Sequence, residues 1–419
     1  MTGPCHHPGL PTFGSADATL LGRFILPLTL LLLLSASPAQ SHDPSAWGGL
    51  FRSRDDGAAW ASANSGVFVS GAIALAISPT DVNHLLLGAE SGLLRSRNGG
   101  RGWTIEAPSV VLGSVFAVAF SADGQRALAS TGLGIFRNEA DNDWRPISAP
   151  QGAAPARAIV RSGAAGRVYL AGWAGLFRSD DWGGSWLSAA DGLPSEPVTA
   201  LLVVHGSPEV LYAIVRGGIW ASVDGARTWA SRRAGISPTN VDVLAVDVKH
   251  PTRLWAAGGD QVFWSDDAGA GWQGVGGPLP EPNTTVHGIA ASEEIVVVTT
   301  DRGLYRSADA GKSWALIIDN LPAHLEAGPL VRDPLDPATL YAGFALVPYS
   351  ELWRRAADRE GAFARVSVPS LAGGAILLLL VVLGAFAALR RLENYYRPPT
   401  GSAPATRTPG HHRMGKTLL

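Results

Sequence analysis

The chain has 419 residues, of which 50 are glycine, 29 are proline and only 16% are charged. This composition favours many short strands and turns over a helical protein. The single cysteine, Cys5, excludes a disulfide framework and a metal site built from several thiolates. Residues 41–366 carry 26 basic and 33 acidic side chains, a net charge of −7. A mildly acidic main part argues against nucleic acid as a partner.

The N-terminal segment has the layout of a secretory signal. Arg23 precedes an apolar run over residues 24–34, and the small residues Ser37 and Ala39 follow. This order of charge, short apolar run and small-residue cleavage site predicts a signal peptide over residues 1–39. An uncleaved anchor is the alternative, although the run is short for a membrane span.

A strand–turn–strand pattern recurs through residues 47–366. In its best copy, Gly303 begins one strand, Ser307 begins a turn, and Trp314 begins the next strand. Asp and Ser side chains accept backbone N–H bonds in such a turn, and Gly supplies positive φ. Successive closing tryptophans are 43, 41, 42, 43, 43 and 42 residues apart, from Trp60 to Trp314. A period of about 40–45 residues made of short strands is typical of β-propeller blades.

The repeated turn resembles the Asp-box, or bacterial neuraminidase repeat, with the pattern Ser-x-Asp-x-Gly-x-(Thr or Ser)-Trp. Its Ser, Asp and Trp positions in the five clearest copies are Ser53, Asp55 and Trp60; Ser179, Asp181 and Trp186; Ser222, Asp224 and Trp229; Ser265, Asp267 and Trp272; and Ser307, Asp309 and Trp314. We interpret these residues as structural, because catalysis needs one constellation and not a set repeated in every blade. The resemblance also implies that they lie at the periphery of the ring.

The sequence predicts an all-β fold, a seven-bladed β-propeller over residues 47–366. Each unit contains four strands, A to D, with the Asp-box at the C–D turn. One hairpin, over residues 47–64, precedes the first A–B pair, so we expect it to complete or cap the ring and remove its free edges. The alternative has eight blades, with an eroded last hairpin over residues 352–363.

The C-terminal region predicts one transmembrane helix over residues 369–391. Residues 371–389 contain no charge, and Arg390 and Arg391 follow them directly. Such a stretch is long enough to cross a hydrocarbon core of about 30 Å. The positive-inside rule then places a disordered tail, residues 392–419, in the cytoplasm. The expected protein is therefore a single-pass membrane protein whose propeller is extracytoplasmic.

The B–C loops are the best candidates for a binding face, because in a propeller they gather at the end of the channel opposite the Asp-box turns. A mixture of aromatic, arginine and acidic side chains is what a protein or glycan contact favours. Solvated loops without a ligand are the alternative. The predicted binding-face residues are Glu90, Trp173, Arg216, Asp260, Asp301, Arg302 and Tyr349.

The sequence assigns no catalytic residue, no metal ligand and no cofactor. The histidines within the repeats are each isolated, namely His84, His205, His250, His287 and His324, and no metal, nucleophile or phosphate-loop motif is present. Some Asp-box propellers are sialidases, but their Phe-Arg-Ile-Pro element is absent here. Larger Asp-box glucanases use two carboxylates, and no pair among the acidic residues of this chain stands out by spacing.

Three groups share this architecture by resemblance: seven-bladed photosystem II assembly and stability factors, sortilin-type receptors, and sialidase-like enzymes. The size of the ring favours the first group, although its basic inner patch is not evident. We therefore predict a membrane-anchored, non-catalytic binding or assembly scaffold for a protein or other macromolecule. A tethered sialidase-like glycoside hydrolase and a purely structural envelope protein are the alternatives.

Overall fold

The computed structural model describes residues 48–65, 69, 71–139, 143–232, 234–236, 241–322, 325–358, 380, 382–387 and 389–391. The predicted signal peptide and the predicted cytoplasmic tail lie outside these residues. The contacts divide the chain into one unit that ends at Asp358 and a second that begins at Arg359.

The first unit contains seven four-stranded antiparallel sheets within the described residues, and each sheet is one blade. The innermost strands, one from each blade, are β3 (Ala72–Ile77), β7 (Val115–Phe120), β11 (Ala158–Arg161), β15 (Val198–Val204), β19 (Val243–Val246), β23 (Val286–Ser292) and β27 (Glu326–Arg332). Each of them contacts the inner strand of the next blade, and β27 contacts β3. The inner strands therefore form a closed ring around a central channel, as predicted.

The second strands are the most deeply buried, because each lies between two strands of its own blade and against both neighbouring blades. They are β4 (Leu85–Ala89), β8 (Ala127–Thr131), β12 (Val168–Ala171), β16 (Val210–Val215), β20 (Leu254–Gly258), β24 (Ile295–Thr300) and β28 (Leu340–Ala345). Every residue of β4, β8, β12, β20 and β28 is buried. Continuous apolar burial explains why these segments show little alternation in the sequence.

The third and fourth strands form the outer hairpins. The third strands are β1 (Gly49–Ser53), β5 (Gly92–Ser96), β9 (Gly134–Asn138), β13 (Leu176–Ser179), β17 (Gly218–Ser222), β21 (Gln261–Ser265) and β25 (Gly303–Ser307). The outermost strands are β2 (Ala61–Ser62), β6 (Thr104–Glu106), β10 (Trp144–Ile147), β14 (Leu187–Ser188), β18 (Ala230–Ser231), β22 (Gln273–Gly274) and β26 (Ala315–Ile317). We number the blades 1 to 7 from β3, so that β1 and β2 belong to blade 7.

The N-terminal hairpin completes blade 7. The strand order in this sheet is β2-β1-β28-β27, and β1 pairs with β28 from Gly49↔Phe344 to Ser53↔Leu340. The last blade is thus made from both ends of the ring-forming sequence. This pairing leaves no free sheet edge inside the ring, and removal of free edges is the reason that we expected the N-terminal hairpin to complete a blade.

The chain continues after β28 as a helix, α1 (Tyr349–Ala357). The expectation of an eighth hairpin beginning at Leu352 is therefore wrong, and so is the eight-bladed alternative. Tyr349, Leu352, Trp353 and Ala356 recur at helical spacing, so they share one face of α1. Amphipathic helical periodicity, and not a strand pattern, governs this segment.

The second unit is described only at residues 380, 382–387 and 389–391, which are helical. Most of the predicted transmembrane helix lies outside the described residues. In the described part of the chain, no helix is both long and apolar enough to cross a membrane.

Candidate functional site at the channel mouth

Strand direction divides the turns between the two ends of the ring. Because the strands of each blade alternate in direction, the B–C turns and the connections between blades lie at one end. The A–B turns and the repeated Ser–Asp turns lie at the other end. We call the first end, where α1 also begins, the channel mouth.

The repeated Ser–Asp turns are closed by their own side chains. In blade 3, the Ser179 hydroxyl accepts the Gly183 N–H at 2.7 Å, and the Asp181 carboxylate accepts the Ser185 N–H at 2.8 Å. The bond from the Ser185 N–H, together with those from the Ser179 and Ser185 hydroxyls, lowers the pKa of Asp181 to about 2. The same Ser–Asp hydrogen bond occurs in the turns that begin at Ser53, Ser222, Ser265 and Ser307. These side chains therefore bond within their own turns and hold the turn geometry.

The tryptophan that closes each turn packs between blades. The Trp103 indole N–H donates to the Ala63 carbonyl at 2.7 Å, and the Trp229 indole donates to the Ala189 carbonyl at 3.0 Å. Each of these carbonyls belongs to the preceding blade. The tryptophans therefore fix the ring spacing.

Six of the seven predicted binding-face residues lie in B–C turns at the channel mouth. They are Glu90, Trp173, Arg216, Asp260, Asp301 and Arg302. The seventh, Tyr349, is the first residue of α1, and its hydroxyl oxygen is fully buried. Its assignment to a loop is wrong, because the segment after β28 leaves the sheet as a helix.

Three of the turn residues hold the connections between blades. The Asp301 carboxylate accepts the Thr285 N–H at 2.8 Å, and Arg302 pairs with Glu281 at 3.2 Å. Arg216 pairs with Glu196 at 2.7 Å. These contacts order the loops around the mouth.

Glu90 is the most unusual of the turn residues. One of its carboxylate oxygens, Oε1, is buried and has no hydrogen-bond partner among the described residues. Burial raises the pKa of this carboxyl group. An acid held in this way is a candidate for contact with a ligand at the rim.

Helix α1 covers the apolar side of the mouth. Trp353, which is 8% exposed, packs with Ile73 and Phe116 of the first two inner strands. Trp173, from the B–C turn of blade 3, packs against the same cluster. The outward side of α1 carries Glu351, which pairs with the two arginines that follow it. Helix α1 therefore covers part of the face that was predicted to bind a partner.

Arg157 joins α1 to blade 3. Its guanidinium carbon lies 3.7 Å from the centre of the Trp353 ring, a close cation–π contact. Burial lowers the pKa of Arg157, and its Nε atom has no hydrogen-bond partner among the described residues.

A cavity of about 310 Å³ lies in the channel beneath α1. Its floor is apolar, and polar side chains from Arg157, Thr199, His287, Glu326 and Tyr349 line it. The His287 Nδ1 lies 3.7 Å from a Glu326 carboxylate oxygen. Polar groups on different blades thus converge on a space of the size that small-molecule sites have.

Asp242 lies next to this group, at the start of the inner strand of blade 5. Desolvation raises the pKa of this carboxyl group, and the nearby His287 opposes the shift. Asp242, His287 and Glu326 belong to three successive blades, so one side of the mouth is acidic. Among the described residues, no group of three or more His, Cys, Asp or Glu side chains is arranged to hold a metal ion.

Apart from Tyr349, the residues that line the cavity were missed in the sequence. They lie in the inner strands or directly before them, and six different blades contribute them. An alternating pattern along each inner strand is the only local signal for which side chains face the channel. The pattern identifies the channel-facing side chains only when the sequences of the blades are aligned on their common repeat of about 42 residues.

No protein-family model matches the chain. A curated xyloglucanase from Paenibacillus sp is 25% identical over 231 residues, which cover 50% of this chain and 22% of the xyloglucanase. The chain therefore spans less than a quarter of the length of that relative.

Solved structures share the fold. YCF48 bound to D1 peptide superposes with a TM-score of 0.52 at 16% identity, over 67% of this chain and 93% of that chain. The GH74 xyloglucanase from Xanthomonas campestris superposes with a TM-score of 0.51 at 18% identity, over 68% of this chain and 55% of that chain. At these identities the likeness shows the β-propeller fold alone.

Proposed function

We propose that the propeller is a binding or assembly scaffold that holds a protein partner at the channel mouth. The observation that carries this proposal is the surface itself, where ordered B–C turns with aromatic, arginine and acidic side chains surround a polar cavity. Similarity to YCF48, one structure of which contains a bound D1 peptide, supports a protein as the partner. The part of the mouth that α1 leaves uncovered is the contact surface in this proposal.

Site-specific cross-linking tests the surface. A photo-reactive residue at Arg216 or Asp260 captures the partner in native membranes, since both lie in B–C turns at the mouth. The matched control is Arg227, an exposed residue of a Ser–Asp turn at the opposite end. Equal capture from both ends would contradict the proposed surface, and so would capture from the control alone.

The same proposal includes a membrane anchor at residues 369–391 and an extracytoplasmic propeller. The support is the uncharged stretch 371–389, followed by Arg390 and Arg391. Full-length protein then resists alkaline extraction from membranes, and a chain ending at Asp358 is extracted. Protease added outside the membrane then digests the propeller. Protection of the propeller from this protease would place it on the other side of the membrane.

Glycoside hydrolysis is the second candidate. Identity of 25% to a xyloglucanase over 231 residues favours it, and xyloglucan is the substrate to test. Asp242 and Glu326 are the carboxylates to change, because both lie at the acidic side of the mouth. Release of reducing ends from xyloglucan that disappears in Glu326→Gln or Asp242→Asn would establish this activity. Unchanged substrate at high protein concentration would exclude xyloglucan hydrolysis.

A further inference from the structure

The cavity beneath α1 contains unpaired polar atoms that belong to different walls. Arg157 Nε, Tyr349 Oη and His287 Nε2 are all buried, and none has a hydrogen-bond partner among the described residues. Buried polar groups in folded proteins nearly always have partners, so each exception requires an explanation. Three such atoms line one cavity, where a single polar ligand would pair them.

Opposite charges face each other across this space. Arg157 precedes the inner strand of blade 3, and Glu326 begins the inner strand of blade 7. In a ring of seven, blade 3 lies opposite the junction of blades 6 and 7, and blade 6 supplies His287. The Arg157 guanidinium is half-buried and stacks on the Trp353 ring, and its Nε atom has no hydrogen-bond partner among the described residues. It is therefore placed to donate to an anion bound in the cavity.

The size and the floor of the cavity restrict the occupant. A volume of about 310 Å³ lies in the range of small-molecule sites. Ile73, Phe116 and Ile159 give the floor an apolar surface. A ligand with a short aliphatic body and polar ends matches this lining.

We propose that the cavity binds a small zwitterion of the amino-acid class. The ligand carboxylate accepts hydrogen bonds from Arg157 and Tyr349, and its ammonium group donates to Glu326. Its methylene groups lie on the apolar floor. This inference concerns the interior of the channel, and it does not depend on a protein partner at the outer surface.

Calorimetric titration of the full chain with amino acids of two to six carbons tests the proposal. The series includes α-amino and ω-amino acids, with butyrate and n-butylamine as probes of one charge each. At least one zwitterion binds, and its affinity exceeds that of either single-charge probe by tenfold or more. Failure of every zwitterion to bind at millimolar concentration would overturn the proposal, and so would equal binding of butyrate.

Variants locate the site. Arg157→Met and Glu326→Gln each weaken binding of that zwitterion by tenfold or more. Arg161→Met is the matched control, because Arg161 ends the same inner strand and lines a separate cavity of about 300 Å³ towards the other end. Its effect stays within twofold. A loss in Arg161→Met that equals the loss in Arg157→Met would overturn the location.

Hydrogen exchange provides a readout that a merely structural role would not change. Tyr349 and Trp353 connect α1 to the cavity wall, so the ligand slows amide exchange in residues 349–357. Arg157→Met also removes the contact with Trp353 and so can detach α1. If α1 detaches in that variant, the test uses Glu326→Gln, which leaves the contact in place. Binding without protection of α1 would contradict the proposed contact with Tyr349. Cross-linking of a protein partner at Arg216 is a separate measurement. The ligand proposal and the protein-partner proposal can therefore be refuted independently of each other.

Discussion

Closure of the ring by the N-terminal strand makes a quantitative prediction at Phe51. This residue is the third of β1, is 0% exposed, and contacts the Phe344 ring edge-on with centroids 5.2 Å apart. The change Phe51→Ala removes a fully buried ring and leaves a cavity, which destabilises a protein by about 3–5 kcal/mol. About 0.5–1.5 kcal/mol of that loss comes from the aromatic pair.

The matched control is Phe136→Ala in blade 2. Phe136 is the third residue of β9, the corresponding strand, and it is 6% exposed. All four strands of blade 2 are consecutive in the chain, whereas β1 reaches its sheet only by ring closure. Because the two rings are equally buried, the two changes lower the free energy of unfolding by amounts within about 1 kcal/mol of each other.

Guanidinium unfolding followed by tryptophan fluorescence measures both variants. Each variant shifts the midpoint to lower denaturant at an unchanged slope, because the surface exposed on unfolding is the same. Limited proteolysis at the N terminus is a second readout. A loss below about 1 kcal/mol for Phe51→Ala, together with about 3 kcal/mol for Phe136→Ala, would refute closure through β1.

Three further predictions concern the repeated turns. The Arg178 guanidinium donates to a carbonyl of the blade 4 turn at 2.8 Å, so Arg178→Met lowers the free energy of unfolding by about 1–2 kcal/mol. The control is Arg145→Met, at a side chain that is 72% exposed, and it changes the free energy of unfolding by less than about 0.5 kcal/mol. Gly311 has a φ of +83°, and a Cβ added there would lie 2.5 Å from the Val275 side chain. Gly311→Ala therefore lowers the free energy of unfolding by at least about 1–2 kcal/mol, whereas Gly274→Ala, at a position with open space, does not. Equal effects of the two changes in denaturant melts would contradict the predicted strain. The pKa of Asp181 is lowered from 3.8 to about 2, so the stability that its carboxylate contributes is present above about pH 4 and is lost as the pH falls through 2. Asp181→Asn therefore narrows the difference between the melting temperatures measured at pH 5 and at pH 2.

The fold was predictable because its signals are local and repeated. A Ser–Asp turn is specified within eight residues, and its Ser179 and Asp181 contacts are made inside that segment. The tryptophan spacing then converts the turns into a blade count. Helix α1 was missed although its signal was present, since Pro348 and an acidic first turn precede an apolar i, i+3, i+4 pattern. The same segment also falls in phase with the repeats, which is why it predicts an eighth hairpin.

The site was less predictable because its parts are far apart in the sequence. Arg157 and Glu326 are brought to opposite walls only by closure of the ring, so neither residue has a local pattern that marks it. The B–C turns were located correctly, yet Asp301 and Arg302 engage their neighbouring loop. Turn position predicts which side chains reach the mouth, but it does not reveal which of them are already satisfied.

The polar groups at the two ends of the propeller are arranged differently, and this difference argues for function at the mouth. At the Ser–Asp end, hydroxyl and carboxylate groups such as those of Ser307 and Asp309 bond within their own turn and leave little capacity for a ligand. Buried polar atoms without a hydrogen-bond partner among the described residues occur at both ends, for example in the Trp186 and Trp314 indoles of the Ser–Asp turns and in Arg157 and Tyr349 at the mouth. Unpaired groups lower stability. Those of Arg157, Tyr349 and His287 all line one cavity of about 310 Å³. Their position around a space of that size points to a partner from outside the chain.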